Sequence, residues 1–108
     1  MPSEIRQISF RQAEVAEAIV DYYRRRGNGA LPGGELAVEI VDSGLVGAIV
    51  TASEGFGPPT RIEISSEVLA AALILYCVSR HIPIPAKAEK RLQRVGDSVA
   101  IFIMRYDS

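Results

Sequence analysis

The sequence has one cysteine, Cys77, and one histidine, His81, so neither an internal disulfide nor a zinc site built only from Cys and His can be assembled within one chain. A lone thiol suits a reducing compartment, and the expected location is cytoplasmic. Net charge is scarce too, at a formal −1. A chain this close to neutral has no long-range field to gather nucleic acid, anionic membrane or acidic substrates, so any such binding needs a local patch. Long apolar runs are missing as well. The longest, Val68 to Val78, is far short of the ~20 residues of a membrane-spanning helix and reads as a buried helix. Met1 to Phe10 lacks the continuous apolar stretch of a signal peptide, so neither export nor membrane attachment is expected.

What is present is ordinary for a globular protein. The chain has 108 residues, 48% hydrophobic and 23% charged, a composition that folds without a partner. That length supports one core, so residues 1–108 are expected to form a single domain.

Glu4 to Ser9 fits a short strand, and Ser9 with Gln12 makes a capping-box pattern that predicts a helix from near Phe10. Phe10, Ala13, Ala16, Ile19, Val20 and Tyr23 supply its apolar face, with Gly27 as a left-handed C-cap and Arg24 to Arg26 set against the helix dipole. Asp21 is placed to pair with Arg25. Leu36 to Val41 and Leu45 to Ala52 read as a hairpin about Asp42-Ser43-Gly44, its second arm interior to a sheet because both of its faces are small or apolar. A loop follows with Gly55, Gly57, Pro58 and Pro59, then a strand, Arg61 to Ile64.

Ser65 or Ser66 caps a second helix running to about Arg80, apolar almost all round and therefore the centre of the core or of a subunit interface. Pro85 suits the first position of a third helix, from Pro85 or Ala86 to Val95 and ended by Gly96. Val99 to Tyr106 is a strand apolar on both faces, expected in mid-sheet. The order β-α-β-β-β-α-α-β predicts an α+β fold: a mostly antiparallel sheet of four to five strands with three helices. Glu14-Val15 and Tyr23 recur at the same spacing as Glu67-Val68 and Tyr76, an echo that shared helix-start grammar explains at least as well as duplication.

The candidate chemistry is sparse. Gly27 to Gly34 and Gly55 to Pro59 are glycine-rich, but neither joins a strand to a helix with a Gly-Lys-Ser/Thr ending, so they read as connections rather than phosphate loops. Burial of Cys77 disfavours the thiolate a nucleophile needs. His81 ends a helix, where a capping or surface role outweighs catalysis. Glu35 and Glu39 share a strand face about 13 Å apart, too far for a dyad, and Asp42 faces elsewhere.

Lys87, Lys90, Arg91 and Arg94 form one basic stripe if their segment is helical, a possible nucleic-acid or anion contact, with Ala88, Leu92 and Val95 as the apolar seam. Exposed aromatics of a single-strand platform are not interleaved with it. No cofactor or metal is implied. The leading reading is a non-catalytic interaction or homo-oligomerising module whose partner is a second copy or another protein. A nucleic-acid-binding accessory protein using the basic stripe comes next. A small-ligand binder or enzyme with a site near His81, Tyr76 or the glycine-rich loops comes last.

Overall fold

The computed structural model describes residues 3–26, 35–53, 55 and 57–106. Strand β1 (Ser3–Phe10) leads into helix α1 (Gln12–Arg26), then β2 (Glu35–Asp42), β3 (Val46–Ser53), β4 (Thr60–Ile64), helix α2 (Ser66–Ser79), β5 (Glu89–Val95) and β6 (Ser98–Tyr106). The fold is α+β. It has two helices and two sheets of three antiparallel strands, ordered β1-β6-β5 and β2-β3-β4, which replaces the expected single sheet of four to five strands. β3 and β6, the two strands expected to be interior, each occupy the middle of a sheet.

The expected third helix does not form. Glu89–Val95 pairs with β6 from Glu89↔Met104 to Val95↔Ser98. A strand brings Ala88, Lys90 and Leu92 to one side, whereas the supposed seam residue Val95 is 44% exposed. Two features override the local helical period. Gly96, at φ 63, turns the chain tightly into β6, and β6, apolar on both faces, needs a neighbour along each edge.

Helix α1 begins two residues later than the capping-box pattern implies. The Arg11 amide is satisfied by Glu14 Oε1 at 2.8 Å, while Ser9 stays in β1 and accepts from Gln7 Nε2. Gln12 Nε2 reaches across the fold, donating to the carbonyls of Asp97 at 2.8 Å and Val38 at 3.4 Å. The buried face centres on Val15, Ala18 and Ile19, and Ala13 is exposed. Asp21 pairs with Arg24 rather than Arg25, at 3.7 Å. Ser65 is the cap of α2, its hydroxyl accepting from the Val68 amide at 3.2 Å. The expected Gly27 cap lies outside the described residues.

The element order is a repeat: β1-α1-β2-β3 followed by β4-α2-β5-β6. In the strand–helix portion, counterparts lie 54 residues apart, as positions 15 and 69 or 19 and 73 do. Val15, Ala18 and Ile19 are buried in one half, and Leu69, Ala72 and Leu73 in the other. Tyr22 carries Arg26 over its ring at 5.5 Å, and Tyr76 carries Arg80 at 3.8 Å.

The pairings repeat as well. Ile8 pairs with Ile101 and Leu92 pairs with Ile101, while Ile62 pairs with Val50 and Val38 pairs with Val50. Because the hairpins differ in length, the counterparts on β3 and β6 lie 51 residues apart, such as positions 50 and 101. Each first strand thus completes the sheet of the opposite half: β1 borders the β5–β6 hairpin and β4 borders the β2–β3 hairpin. The sheets approach each other along β2 and β5.

One hydrophobic cluster spans both halves, drawing Val15, Ile19 and Val50 from the first and Leu69, Leu73 and Ile101 from the second. Ile19 and Leu73 are each 0% exposed at equivalent positions. Truncating either to alanine is expected to cost about 2–5 kcal/mol in chemical denaturation. A loss below about 1 kcal/mol for both would contradict this placement of the core.

Candidate interaction surface

The basic quartet is dispersed once its segment is a strand. Lys90 and Arg94 fall on one side of β5 and Arg91 on the other, while Lys87 sits in the preceding turn. Each strand cation also has a local partner. Lys90 Nζ donates to the carbonyls of Ala88 at 3.1 Å and Ala86 at 3.4 Å. Arg91 pairs with Glu89 at 3.4 Å, and Arg94 Nε donates to the Gly96 carbonyl at 3.0 Å. The single helical stripe on which the nucleic-acid reading rested is not formed.

His81 has a backbone role. Its φ is 59, its amide donates to Val78 O at 3.1 Å, and the Ile82 amide donates to Cys77 O at 2.8 Å. These two bonds close α2 as a Schellman motif, with histidine at the left-handed position usually held by glycine. The cap is made by the backbone at His81, not by its imidazole.

Cys77 is 0% exposed. Burial pushes its thiol pKa up, with the Arg6 charge opposing and Glu14 reinforcing the rise. The Tyr76 hydroxyl is also shifted up, chiefly by burial, against the lowering pull of Arg80 and with Glu14 and Glu17 adding to the rise. Neither is poised as a nucleophile or base. Glu39 is exposed, and Asp42 accepts from the Gly44 amide in the hairpin turn at 3.2 Å. The side chain of Glu35 and the loop Gly27 to Gly34 lie outside the described residues. Among those residues no three His, Cys, Asp or Glu side chains converge as metal ligands would. No described helix is long and apolar enough to cross a membrane.

A cavity of about 460 Å³ opens between the β2–β3 turn, the end of β4 and the start of α2, lined in part by Leu45, Gly47, Glu63, Ser65 and Ser66. The two halves differ here. In the other half, Gln12 spans to the Asp97 carbonyl and the Ser98 hydroxyl donates to Phe10 O at 2.5 Å; at the corresponding positions stand the shorter Ser66 and Gly47. A Cβ on Gly47 would meet Ile64 O at 2.7 Å, so this position excludes any side chain. Among the lining residues Glu63 alone is ionisable at neutral pH, and the cavity holds no acid–base pair.

The outward face of α2 is the most distinctive surface. Ala71, Leu75 and Val78 succeed one another at helical spacing opposite the buried Leu69, Ala72, Leu73 and Tyr76. Val78 is 58% exposed while Ala71 and Leu75 are half-buried, and none of the three belongs to the core cluster or the residues packed on it. The same positions in α1 are Glu17, Asp21 and Arg24. There, Glu17 binds Arg80, and Asp21 pairs with Arg24. Two helices with matching inner faces therefore have opposite outer ones.

Comparison with known protein families, curated proteins and solved structures finds no match to this chain. A reading of its function rests on this surface and the fold that presents it.

Replacing His81 with glycine removes the cost of left-handed backbone at a residue with a Cβ, and is expected to stabilise the fold by about 1 kcal/mol. Thermal or urea unfolding measures it, and destabilisation would show that the imidazole itself contributes. Cys77 is expected to react slowly with a thiol reagent until the protein is denatured. Stability should also fall as pH rises above the ordinary thiol range: the unfolded chain loses the Cys77 proton first, while the native state retains it. A urea midpoint for Cys77→Ala that falls just as steeply over that range would assign the alkaline loss elsewhere.

Proposed function

We propose that this protein is a non-catalytic, self-associating interaction module, and that the outward face of α2 receives a second copy of the chain. The observation that carries the reading is the internal contrast between Ala71, Leu75 and Val78 on α2 and Glu17, Asp21 and Arg24 on α1. A solvated helix keeps charges on its outer face, as α1 does.

A second copy suits this face because the stripe is complementary to itself. In a two-fold antiparallel crossing, Ala71 of one copy lies opposite Val78 of the other, small against large, and Leu75 meets the centre of its partner's stripe. Glu67, one turn before Ala71, comes near the other end of the partner helix, where Arg80 and His81 stand. No like charges are opposed. A single buried thiol and the absence of a described membrane-spanning helix accord with action inside the cell as a protein-binding rather than a membrane-bound component.

Sedimentation at rising micromolar concentration should show a species of twice 11.7 kDa. Val78→Arg is expected to return it to one-chain mass with its helical signal intact, since Val78 is 58% exposed and outside the core. A species of 11.7 kDa that persists throughout the concentration range for the unaltered chain would overturn the reading.

A further inference from the structure

We propose that the open edge of β1 pairs antiparallel with the same edge of a second copy, about a two-fold axis at Ile5. The contact lies on a different surface from the outward face of α2 and does not depend on it.

The repeat treats its two first strands differently. β1 and β4 each have one neighbour, β6 and β3, and among the described residues their other edge carries no strand. β4 is five residues long, and Pro59, with no N–H to offer, stands immediately before it at the counterpart of Ile5. β1 is eight residues long and free of proline, with Ile5 71% exposed.

The backbone phase gives this edge its donors and acceptors. Gly96 and Asp97 make a two-residue turn, so Val95 and Ser98 exchange both of their hydrogen bonds. Alternation from Ser98 then directs the backbone groups of Ile101 and Ile103 to β1, and those of their partners Ile8 and Arg6 back to β6. The opposite phase belongs to Ile5 and Gln7, whose N–H and C=O point to the open edge.

Charge selects one register. With Ile5 opposite Ile5, the two copies exchange a pair of hydrogen bonds at the axis, and Glu4 of each lies opposite Arg6 of the other. That is a non-hydrogen-bonded pair, in which side chains approach most closely, and it occurs twice. Moving the axis by one residue either way opposes Glu4 to Glu4 or Arg6 to Arg6. Arg6 is already held over the sheet, Nη1 donating to Pro83 O at 3.1 Å, and has further N–H groups for a carboxylate. The charges that guard the edge against indiscriminate pairing therefore fit it to its own copy. Pairing over Ser3 to Gln7 is a small contact, so it takes hold at higher concentration than the α2 contact, and in addition to that contact it joins dimers to one another.

The experiment uses full-length chains carrying Val78→Arg, so that association through α2 is removed. As their concentration is raised from micromolar to about 1 mM, sedimentation is expected to show a shift from one-chain towards two-chain mass. Adding Ile5→Pro, which removes an edge-facing N–H that β6 does not use, is expected to lower the association constant at least about tenfold with the circular dichroism unchanged. Glu4→Arg and Arg6→Glu, placed in separate chains, should each stay at one-chain mass and associate only when mixed, since only the mixture opposes positions 4 and 6 with opposite signs. These charge variants decide the matter even where Ile5→Pro folds poorly. A Val78→Arg chain that stays at one-chain mass to about 1 mM would overturn the inference. So would undiminished association of folded Ile5→Pro, or charge variants that pair with themselves or fail to pair when mixed.

Discussion

The constraint on which the structure depends is that β1 and β4 each complete the sheet of the opposite half. A β2–β3 or β5–β6 hairpin alone would leave its second arm with a bare edge, and an isolated two-stranded ribbon is marginal in water. The borrowed strand supplies the missing ladder and carries Phe10 or Ile64 to the start of the following helix. From there the helix lowers Val15 and Ile19, or Leu69 and Leu73, onto a core that belongs to both halves. The strand exchange and the shared core are thus two aspects of one arrangement. Neither sheet can be lost without unroofing the helix of the other half.

Much of this was legible in the residues. The two-sided apolar character of Leu45 to Val50 and of Val99 to Met104 identified the central strands, since only a strand with neighbours on both edges and cover on both faces tolerates that pattern. Asp42-Ser43-Gly44 announced its turn, and Ser65 its helix. The segment Pro85 to Val95 misled because lysine, arginine and leucine at intervals of three and four fit a helix locally, while the demand of β6 for a partner is not a local property. The basic stripe disappeared with that helix. The repeat was concealed by aligning Tyr23 with Tyr76. Shifted by one residue, Tyr22 and Arg26 match Tyr76 and Arg80, and the buried positions fall into register with them.

Where the halves differ is as informative as where they agree. Glycine at position 47 and serine at 66 border an open cavity, where the other half has the long-range hydrogen bonds of Ser98 and Gln12. The outer face of α1 is bound up in ion pairs, while that of α2 is apolar. Packing imposes the inner positions equally on both helices, so it cannot account for the outer contrast. A sequence read one helix at a time shows only that α2 is hydrophobic all round. Set beside its counterpart, the same helix divides into a side that the core requires and a side outside the core, on which Ala71 and Leu75 are half-buried and Val78 is exposed.

The pairing of β1 with β6 also sets the order of events as the chain is made. Residues Ser3 to Phe10 precede the other described elements along the chain, yet their neighbours in the sheet, Val99 to Tyr106, follow all of them. The sheet β2-β3-β4 can assemble earlier, from strands contiguous in the chain. Until β6 is made, β1 and the inner face of α1 have only part of their final cover, so the strand waits with an unpaired edge while the elements between them are synthesised. Contacts so distant along the chain also slow folding, because the loop between them must close before any of their energy is gained. β1 carries exposed Glu4, Gln7 and Ser9 as breaks in that waiting edge, with Ile5 left 71% exposed even in the folded protein.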